Sequence, residues 1–354
     1  MKNQPTVFVG LSGGVDSSVA ALRLKNEGFK VVGVFIKVWH PDFLMCNWET
    51  ERLDAMRVAA KLEIPFLTCD AEAAYRDAVA HYFIEEYRVG RTPNPDVMCN
   101  KAVKFGAFMQ FARDRGADYI ATGHYVQKII NRDGVPELQR GVDTSKDQSY
   151  FLWTLTPEQL AYSLFPVGDT TKDSIRDEAS AAGLLTADKR DSQGVCFLGH
   201  IDIPDFLSHY INLVPGNVLS KAGEVIGSHQ GAFVYTLGQR HGFTLETEDE
   251  HRPPHYVIAK NIDTNTITVS DTAPHLASSD SVRLVQPVLR ETIFINQSLN
   301  VQTRYRQVPF TATVTDVGEH EIKLSVHEET EEVASGQSCV LYRGPICIGG
   351  GIIA

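Results

Sequence analysis

VFVGLSGGVDSSVAALRL, residues 7–24, decides the fold of this chain. The apolar run 6–11 has the length and β-branched content of a buried strand, and SSVAALRLKNEG (17–28) reads as the start of a helix. Between them stand Gly10, Ser12, Gly13, Gly14, Asp16, Ser17 and Ser18. Glycines let a backbone turn tightly and approach a phosphate closely, while the amides of the next helix and the serine hydroxyls donate to an anion. The loop has no lysine of the GxxxxGK[ST] kind and no GxGxxG, so it is neither a Walker A loop nor a dinucleotide fingerprint. The plainer reading, a Gly/Ser turn that only caps a helix, leaves the acid among the donors without a purpose.

Outward from that loop the alternation continues. VVGVFIKVW (31–39) and PFLTCD (65–70) read as strands, with the helical TERLDAMRVAAKLE (50–63) between them. KFGAFMQFARDRG (104–116) is a helix ending in Gly, and ADYIATGH (117–124) is a further strand. Such alternation predicts an α/β domain with a parallel sheet covered on both faces. Near residue 205 the pattern changes to short alternating stretches broken by Gly, Pro, Asn and Asp, with AKNIDTNTITVS and VTDVGEHEIKLSV reading as hairpins. The expected organisation is an α/β domain over 1–205, a small mainly-β central domain over 206–274, and a C-terminal β-barrel or sandwich over 275–354.

The chain has 354 residues, 43% of them hydrophobic and 22% charged, values of a soluble globular protein with two or three domains. No stretch approaches the roughly 18 apolar residues of a membrane span, and the first strand follows the N-terminal methionine too closely for a leader. A cytoplasmic, membrane-free protein is expected. A formal charge of −11 argues mildly against a nucleic-acid partner, yet ETEDE (246–250) and EETEE (328–332) concentrate part of the acid locally, so charge decides nothing. The six cysteines form no CxxC pair, which predicts thiols rather than a zinc or iron–sulfur site.

Two cysteines stand in informative surroundings. In GRTPNPDVMCNKAVKFGAF (90–108) the prolines and Asn94 hold a shaped loop, and Cys99 is read as preceding a basic helix with Lys101 and Lys104. A helix N-terminus and nearby ammonium groups favour a thiolate. In KRDSQGVCFLGHIDIPDFL (189–207) Cys196 follows a polar turn beside Lys189 and Arg190. Taken singly, each cysteine is read equally well as a small buried hydrophobe.

SGGVDSS resembles the SGGxDS signature of the ATP pyrophosphatases, which cleave ATP between the α and β phosphates. In order along the chain come SGGVDSS, TPNPDVMCN, ATGHY, KDQSYFL, SQGVCFLG, TLGQR, TRYR and GQSCVLY. The series closely resembles the bacterial tRNA-specific 2-thiouridylases, from residue 7 to the C-terminus. The resemblance implies a Rossmann-like ATP-pyrophosphatase domain followed by the two β domains. It implies ATP at Gly10, Leu11, Ser12, Gly13, Gly14, Val15, Asp16 and Ser17, flanked by Gly123 and by Ile36, where the family commonly has Met. Magnesium is expected with the ATP, to neutralise the leaving pyrophosphate. The implied chemistry is adenylation of O2 of the wobble uridine in Lys, Glu and Gln tRNAs, followed by sulfur transfer to C2. Cys196 would carry the sulfur as a persulfide supplied by a cysteine desulfurase or relay protein. Cys99 would be its partner nucleophile, leaving a Cys99–Cys196 disulfide, and Asp96 the acid/base residue. Asn94, Pro95 and Asp96 are implied at the target base with His124 close by. Lys146, Asp147, Gln148, Arg304, Tyr305 and Gln337 are implied as further tRNA contacts, with Arg304 and Arg306 read on one face of a strand.

Three other readings compete. A small-molecule ligase with the same loop needs no cysteine pair, a tRNA-binding protein without sulfur chemistry needs neither cysteine, and an iron–sulfur thiolase needs clustered cysteines.

Overall fold

The structure, a computed structural model, describes residues 4–44, 48–190, 202–246 and 253–354. The N-terminal part holds strands β1 (Thr6–Gly10), β2 (Lys30–Lys37), β3 (Phe66–Asp70), β4 (Tyr119–Ala121), β5 (Val126–Ile130), β6 (Pro136–Arg140) and β7 (Ser163–Leu164). Five of them form an all-parallel sheet in the order β3-β2-β1-β4-β7. The period-2 alternation of side chains explains how one short apolar run feeds two layers. Val7 and Val9 pack with α1 (Val15–Asn26) and α2 (Trp48–Lys61), whereas Phe8 faces the opposite layer with Phe83, Phe108 and Met109. The strand order reverses direction between β1 and β4, and ligands in open α/β sheets bind beyond the carboxyl ends of strands at such a point.

That second layer contains two long helical runs. Residues 72–88 are helical with a wider π turn over Arg76–Ala80, and residues 95–113 with one over Asn100–Ala107. The first run had no counterpart in the sequence reading. The second begins well before the expected residue 104, because Asn94 caps it by accepting the Val97 amide (3.3 Å) and Pro95 occupies its first position.

The central part is one sheet of β8 (Gly216–Leu219), β9 (Val225–His229), β10 (Phe243–Leu245), β11 (Tyr256–Asn261) and β12 (Thr266–Ser270), with β11–β12 the hairpin expected at 259–270. The C-terminal part holds β13 (His275–Leu276), β14 (Ser281–Leu289), β15 (Ser298–Gln302), β16 (Phe310–Val317), β17 (Glu321–Val326), β18 (Thr330–Glu331), β19 (Ser338–Arg343) and β20 (Ile346–Ile353). Pairing of β14 with β20 closes β14-β17-β16-β15-β19-β20 into a barrel around Leu284, Val301, Val314, Leu324 and Leu341. The strand expected over 117–124 is shorter. The chain leaves the parallel sheet after Ala121 and forms the hairpin β5–β6, whose inner strand pairs with β20 (Cys347 opposite Leu138, Ile346 opposite Gln139). The α/β part therefore extends the barrel sheet by two strands.

A single apolar cluster runs through the three-way joint. Tyr150, Leu152 and Trp153 of the N-terminal part meet Tyr235 of the central part and Val340 and Tyr342 of β19. The Tyr150 hydroxyl donates to the carbonyls of Thr303 (3.1 Å) and Ser338 (3.0 Å), so the KDQSYFL stretch locks the barrel in place.

Candidate active site

The phosphate loop lies at the carboxyl end of β1, at the reversal of strand order. Gly13 has φ +72°, and a Cβ there would meet the Glu51 carbonyl oxygen at 2.8 Å, which accounts for glycine at this turn. Ser17 Oγ accepts the Ser12 amide (3.2 Å), and Ser18 Oγ donates to the Gly14 carbonyl (2.7 Å), so the serines hold the loop around the start of α1. The cap position of α1, Gly14, has no side-chain hydrogen bond, leaving the first-turn amides for an anion. Gly10 lies against the Ile36 side chain, and Gly123 comes so close that a Cβ there would meet Ser17 N at 2.7 Å. The loop, Ile36 and Gly123 are thus brought together.

Asp16 is held by partners that sequence reasoning missed. Lys172 Nζ donates to both its carboxylate oxygens (2.7 and 2.8 Å), and Tyr125 Oη donates to Oδ1 (2.6 Å). Lys172 is buried at the first position of the helix Lys172–Ala181, where the helix dipole disfavours a cation. That misplacement in TTKDS was the available signal. This loop, which has no lysine of its own, receives one from another element.

Beyond Gly123 lies the second half of the site. His124 is buried, with Nδ1 2.8 Å from Thr122 Oγ1 and Nε2 3.5 Å from Lys104 Nζ. Burial, helped by the Lys104 charge, holds its ring well below the usual histidine range, so it is neutral. Asp96 and Cys99 lie on the helix that carries Lys104. Burial pushes the Asp96 carboxyl up while Lys104 pulls it down. Burial also raises the Cys99 thiol, Lys104 opposes that, and Asp96 adds to it. The expected helix-N-terminal thiolate is therefore corrected. The helix begins at Pro95, which places Cys99 more than a turn inside it, and in this state its sulfur is a buried thiol. Cys196 lies outside the described residues, as does its pairing with Cys99. Cys69, Cys339 and Cys347 are buried free thiols.

The segment before the cap is held from two sides. Gln337 Nε2 donates to the carbonyls of Thr92 and Pro93 (both 3.1 Å), Ser335 O accepts the Thr92 amide (2.8 Å), and Thr92 Oγ1 meets Thr236 Oγ1 at 2.9 Å. Gln337 thus shapes the loop that carries Asn94, Pro95 and Asp96. Asp147 is buried and accepts from Arg140 (2.9 Å), the Gly141 and Ser149 amides (both 3.1 Å) and the Ser149 hydroxyl (2.9 Å), which makes it the centre of its turn. Gln148 accepts the Tyr125 amide (2.9 Å), while Lys146 is half-exposed on the same turn. Arg304 donates to the Leu237 and Glu332 carbonyls (3.2 and 3.1 Å) and joins barrel to central part. Tyr305 packs against Phe151 with the rings tilted by 47° and their centroids 4.5 Å apart. Arg304 and Arg306 do not share a strand face, since β15 ends at Gln302 and Arg306 sits in a turn at φ +63°.

An SGGxDS loop at the switch point of a parallel sheet, with a thiol-bearing helix on the same crevice, defines the class: an α/β domain of the ATP-pyrophosphatase type. Family models extend this along the chain. One described as "tRNA methyl transferase HUP domain" matches residues 5–200, a "tRNA methyl transferase PRC-barrel domain" matches 204–271, and an "Aminomethyltransferase beta-barrel domain" matches 288–353. A tRNA-specific 2-thiouridylase MnmA of Klebsiella pneumoniae subsp. pneumoniae is 45% identical over 99% of this chain and 97% of its own length. Those of Shewanella frigidimarina (45%, 99% and 96%) and Proteus mirabilis (44%, 99% and 97%) are equally near. The chain belongs to the tRNA-specific 2-thiouridylase family. Among solved structures, a 4-thiouridine synthetase–RNA complex with bound ATP is similar at 17% identity and TM-score 0.36, covering 55% of this chain and 45% of that one, a likeness too slight to argue from.

Proposed function

We propose that this chain is an ATP-dependent tRNA uridine 2-sulfurtransferase acting on the wobble uridine of Lys, Glu and Gln tRNAs. The observation that carries the reading is the direct passage from phosphate loop to thiol. Gly123 touches Ser17, His124 follows it, and Lys104 links His124 to the helix of Cys99. Uridine O2 is a poor leaving group as oxide, and adenylation turns it into AMP. The α1 amides, Ser12 and Ser17 suit the binding of the ATP phosphates, and Lys172 stands beside them to offset their charge. Asp16 is a carboxylate within the loop, and Asp54 packs against Gly13. Magnesium arriving with the ATP would neutralise the departing pyrophosphate.

In this reading Cys196 carries the persulfide sulfur that attacks C2, and Cys99 resolves it, leaving a disulfide to be reduced. Asp96, whose carboxyl burial pushes up from its ordinary range against the pull of Lys104, is suited to exchange a proton with the uridine or with Cys99. Asn94, Pro95 and His124 shape the base pocket, and Lys146 and Tyr305 offer charge and stacking to the RNA. The sulfur donor is a desulfurase or relay protein. No described helix is long and apolar enough to cross a membrane.

The test is incubation of the protein with ATP, magnesium, a sulfide or desulfurase source and unmodified Glu tRNA, followed by nucleoside mass spectrometry. Sulfur replacing oxygen on one anticodon-loop uridine, lost in Cys99→Ala and Cys196→Ala, is the expected result. Pyrophosphate release with no sulfur gained would send the activated group to another acceptor.

A further inference from the structure

Among the described residues of the crevice, Lys104 acts on Asp96, Cys99 and His124 alike. In an α-helix, residue 104 would lie about 140° around the axis from residue 99. The π turn over Asn100–Ala107 changes this, because a hydrogen bond spanning five residues advances each residue less far around the axis. Lys104 is thereby swung back toward the face of Asp96 and Cys99, and its Nζ reaches 3.5 Å from His124 Nε2. Among the described residues no carboxylate lies within ion-pair distance of it. Among the described residues, the titratable groups that act with it are Asp96 and Cys99 on its own helix and His124 after β4, and His124 in turn lies against Phe105, Phe165 and Thr122.

We propose that Lys104 is a positioning residue of the sulfur-transfer site: its ammonium fixes His124 with the proton on Nδ1 and provides the counter-charge for the Cys99 sulfur. An ammonium has only donors, so His124 Nε2 must accept, and Nδ1 must then carry the proton and donate to Thr122 Oγ1. The same charge is the force that offsets burial at Cys99. A π turn placed between Cys99 and Lys104 is the local irregularity that brings them together. The inference rests on the sulfur-transfer reading for its purpose, but its test needs neither tRNA nor ATP, so the two fail separately.

The full chain is compared with Lys104→Met, Lys104→Gln and Lys104→Arg by two measurements. The first is the ring nitrogen spectrum of histidine-labelled protein, with His124 identified by its loss in His124→Gln. Wild type and Lys104→Arg are expected to show the Nδ1–H tautomer, and Lys104→Met a shift toward Nε2–H. The second is carbamidomethylation of the Cys99 peptide against pH. In Lys104→Met the profile should move to higher pH and labelling at pH 7.5 should slow, while Lys104→Arg stays near wild type. Lys104→Gln replaces Lys104→Met if the latter does not fold. Unchanged His124 signals and an unchanged Cys99 profile in the neutral variant would overturn the proposal. So would a folded Lys104→Arg that behaves as Lys104→Met does.

Discussion

Replacing Gly123 by alanine tests the closeness of the two strands' ends at the phosphate loop. The added Cβ would meet Ser17 N at 2.7 Å, Asp16 C at 2.8 Å and Asp16 Cβ at 3.0 Å. Two of these are backbone atoms of the first turn of α1 and cannot rotate aside. Either that turn or the Gly123 segment must retreat, and each movement displaces donors from the phosphate position. Overpacking of this kind costs about 1–3 kcal/mol. If the whole cost falls on the ATP-competent arrangement, affinity drops about 5- to 150-fold. The assay is calorimetric titration with magnesium and an ATP analogue whose α–β bridge resists cleavage. Gly223→Ala is the control: Gly223 has φ +86° with nothing within 4 Å, so alanine brings backbone strain of similar sign far from the loop. Gly123→Ala should bind the analogue weakly and Gly223→Ala normally. Unaltered affinity in Gly123→Ala, whatever happens to its melting temperature, would mean the close approach serves packing alone and would remove Gly123 from the ATP site.

Three further outcomes are expected. Lys172→Met leaves Asp16 with the Tyr125 hydroxyl alone; Asp16 is partly exposed, so the loss is about 1–3 kcal/mol, and ATP-dependent pyrophosphate release should fall at least tenfold. Release at the wild-type rate would confine Lys172 to a structural role. Burial lowers the Lys260 ammonium from 10.5 to about 8. Its folded pKa lies below the unfolded one, so burial of the amine carries no ionisation penalty above 10.5, and stability is lost as pH falls from 10.5 to about 8, the full penalty being present below 8. Lys260→Met also removes the hydrogen bond that Nζ donates to the Tyr235 carbonyl, a loss common to both pH values, so relative to wild type the variant should fare better at pH 7 than at pH 10 by about 1–3 kcal/mol in urea unfolding. Equal offsets at both pH values would contradict this. Gln337→Ala removes two hydrogen bonds to the Thr92 and Pro93 carbonyls, each worth about 1 kcal/mol. It should lower the maximal thiolation rate more than it weakens overall tRNA binding, and a pure loss of binding would make Gln337 an RNA contact instead.

Local pattern made the parallel sheet legible, because strand-length apolar runs alternating with helical ones admit few arrangements. The phosphate loop was equally legible, since all its residues lie within one stretch. Long-range partners were not. Nothing near SGGVDSS announces that Lys172 will complete it, and nothing in GQSCVLY shows Gln337 reaching Thr92. Cys99 was misjudged for a physical reason. Basic residues nearby in sequence suggest a thiolate, but burial outweighs one partly exposed ammonium, and burial is set by tertiary packing that includes Phe105, Phe108 and Val103. Asp147 reads as a surface residue in a Ser/Lys/Asp/Gln turn, yet four donors converge on it inside the joint. Two strand-forming stretches, 126–130 and 136–140, went unread because their pairing partner β20 lies at the far end of the sequence.

That last pairing bears on biogenesis. Until β20 has emerged from the ribosome, β6 has no neighbour on its inner side, and an uncovered edge strand invites wrong partners or a protease. A prematurely terminated chain would thus carry a nearly finished phosphate loop on a body with an open seam. Dissection at the apparent junctions would cut the same seam, so neither half is a portable module.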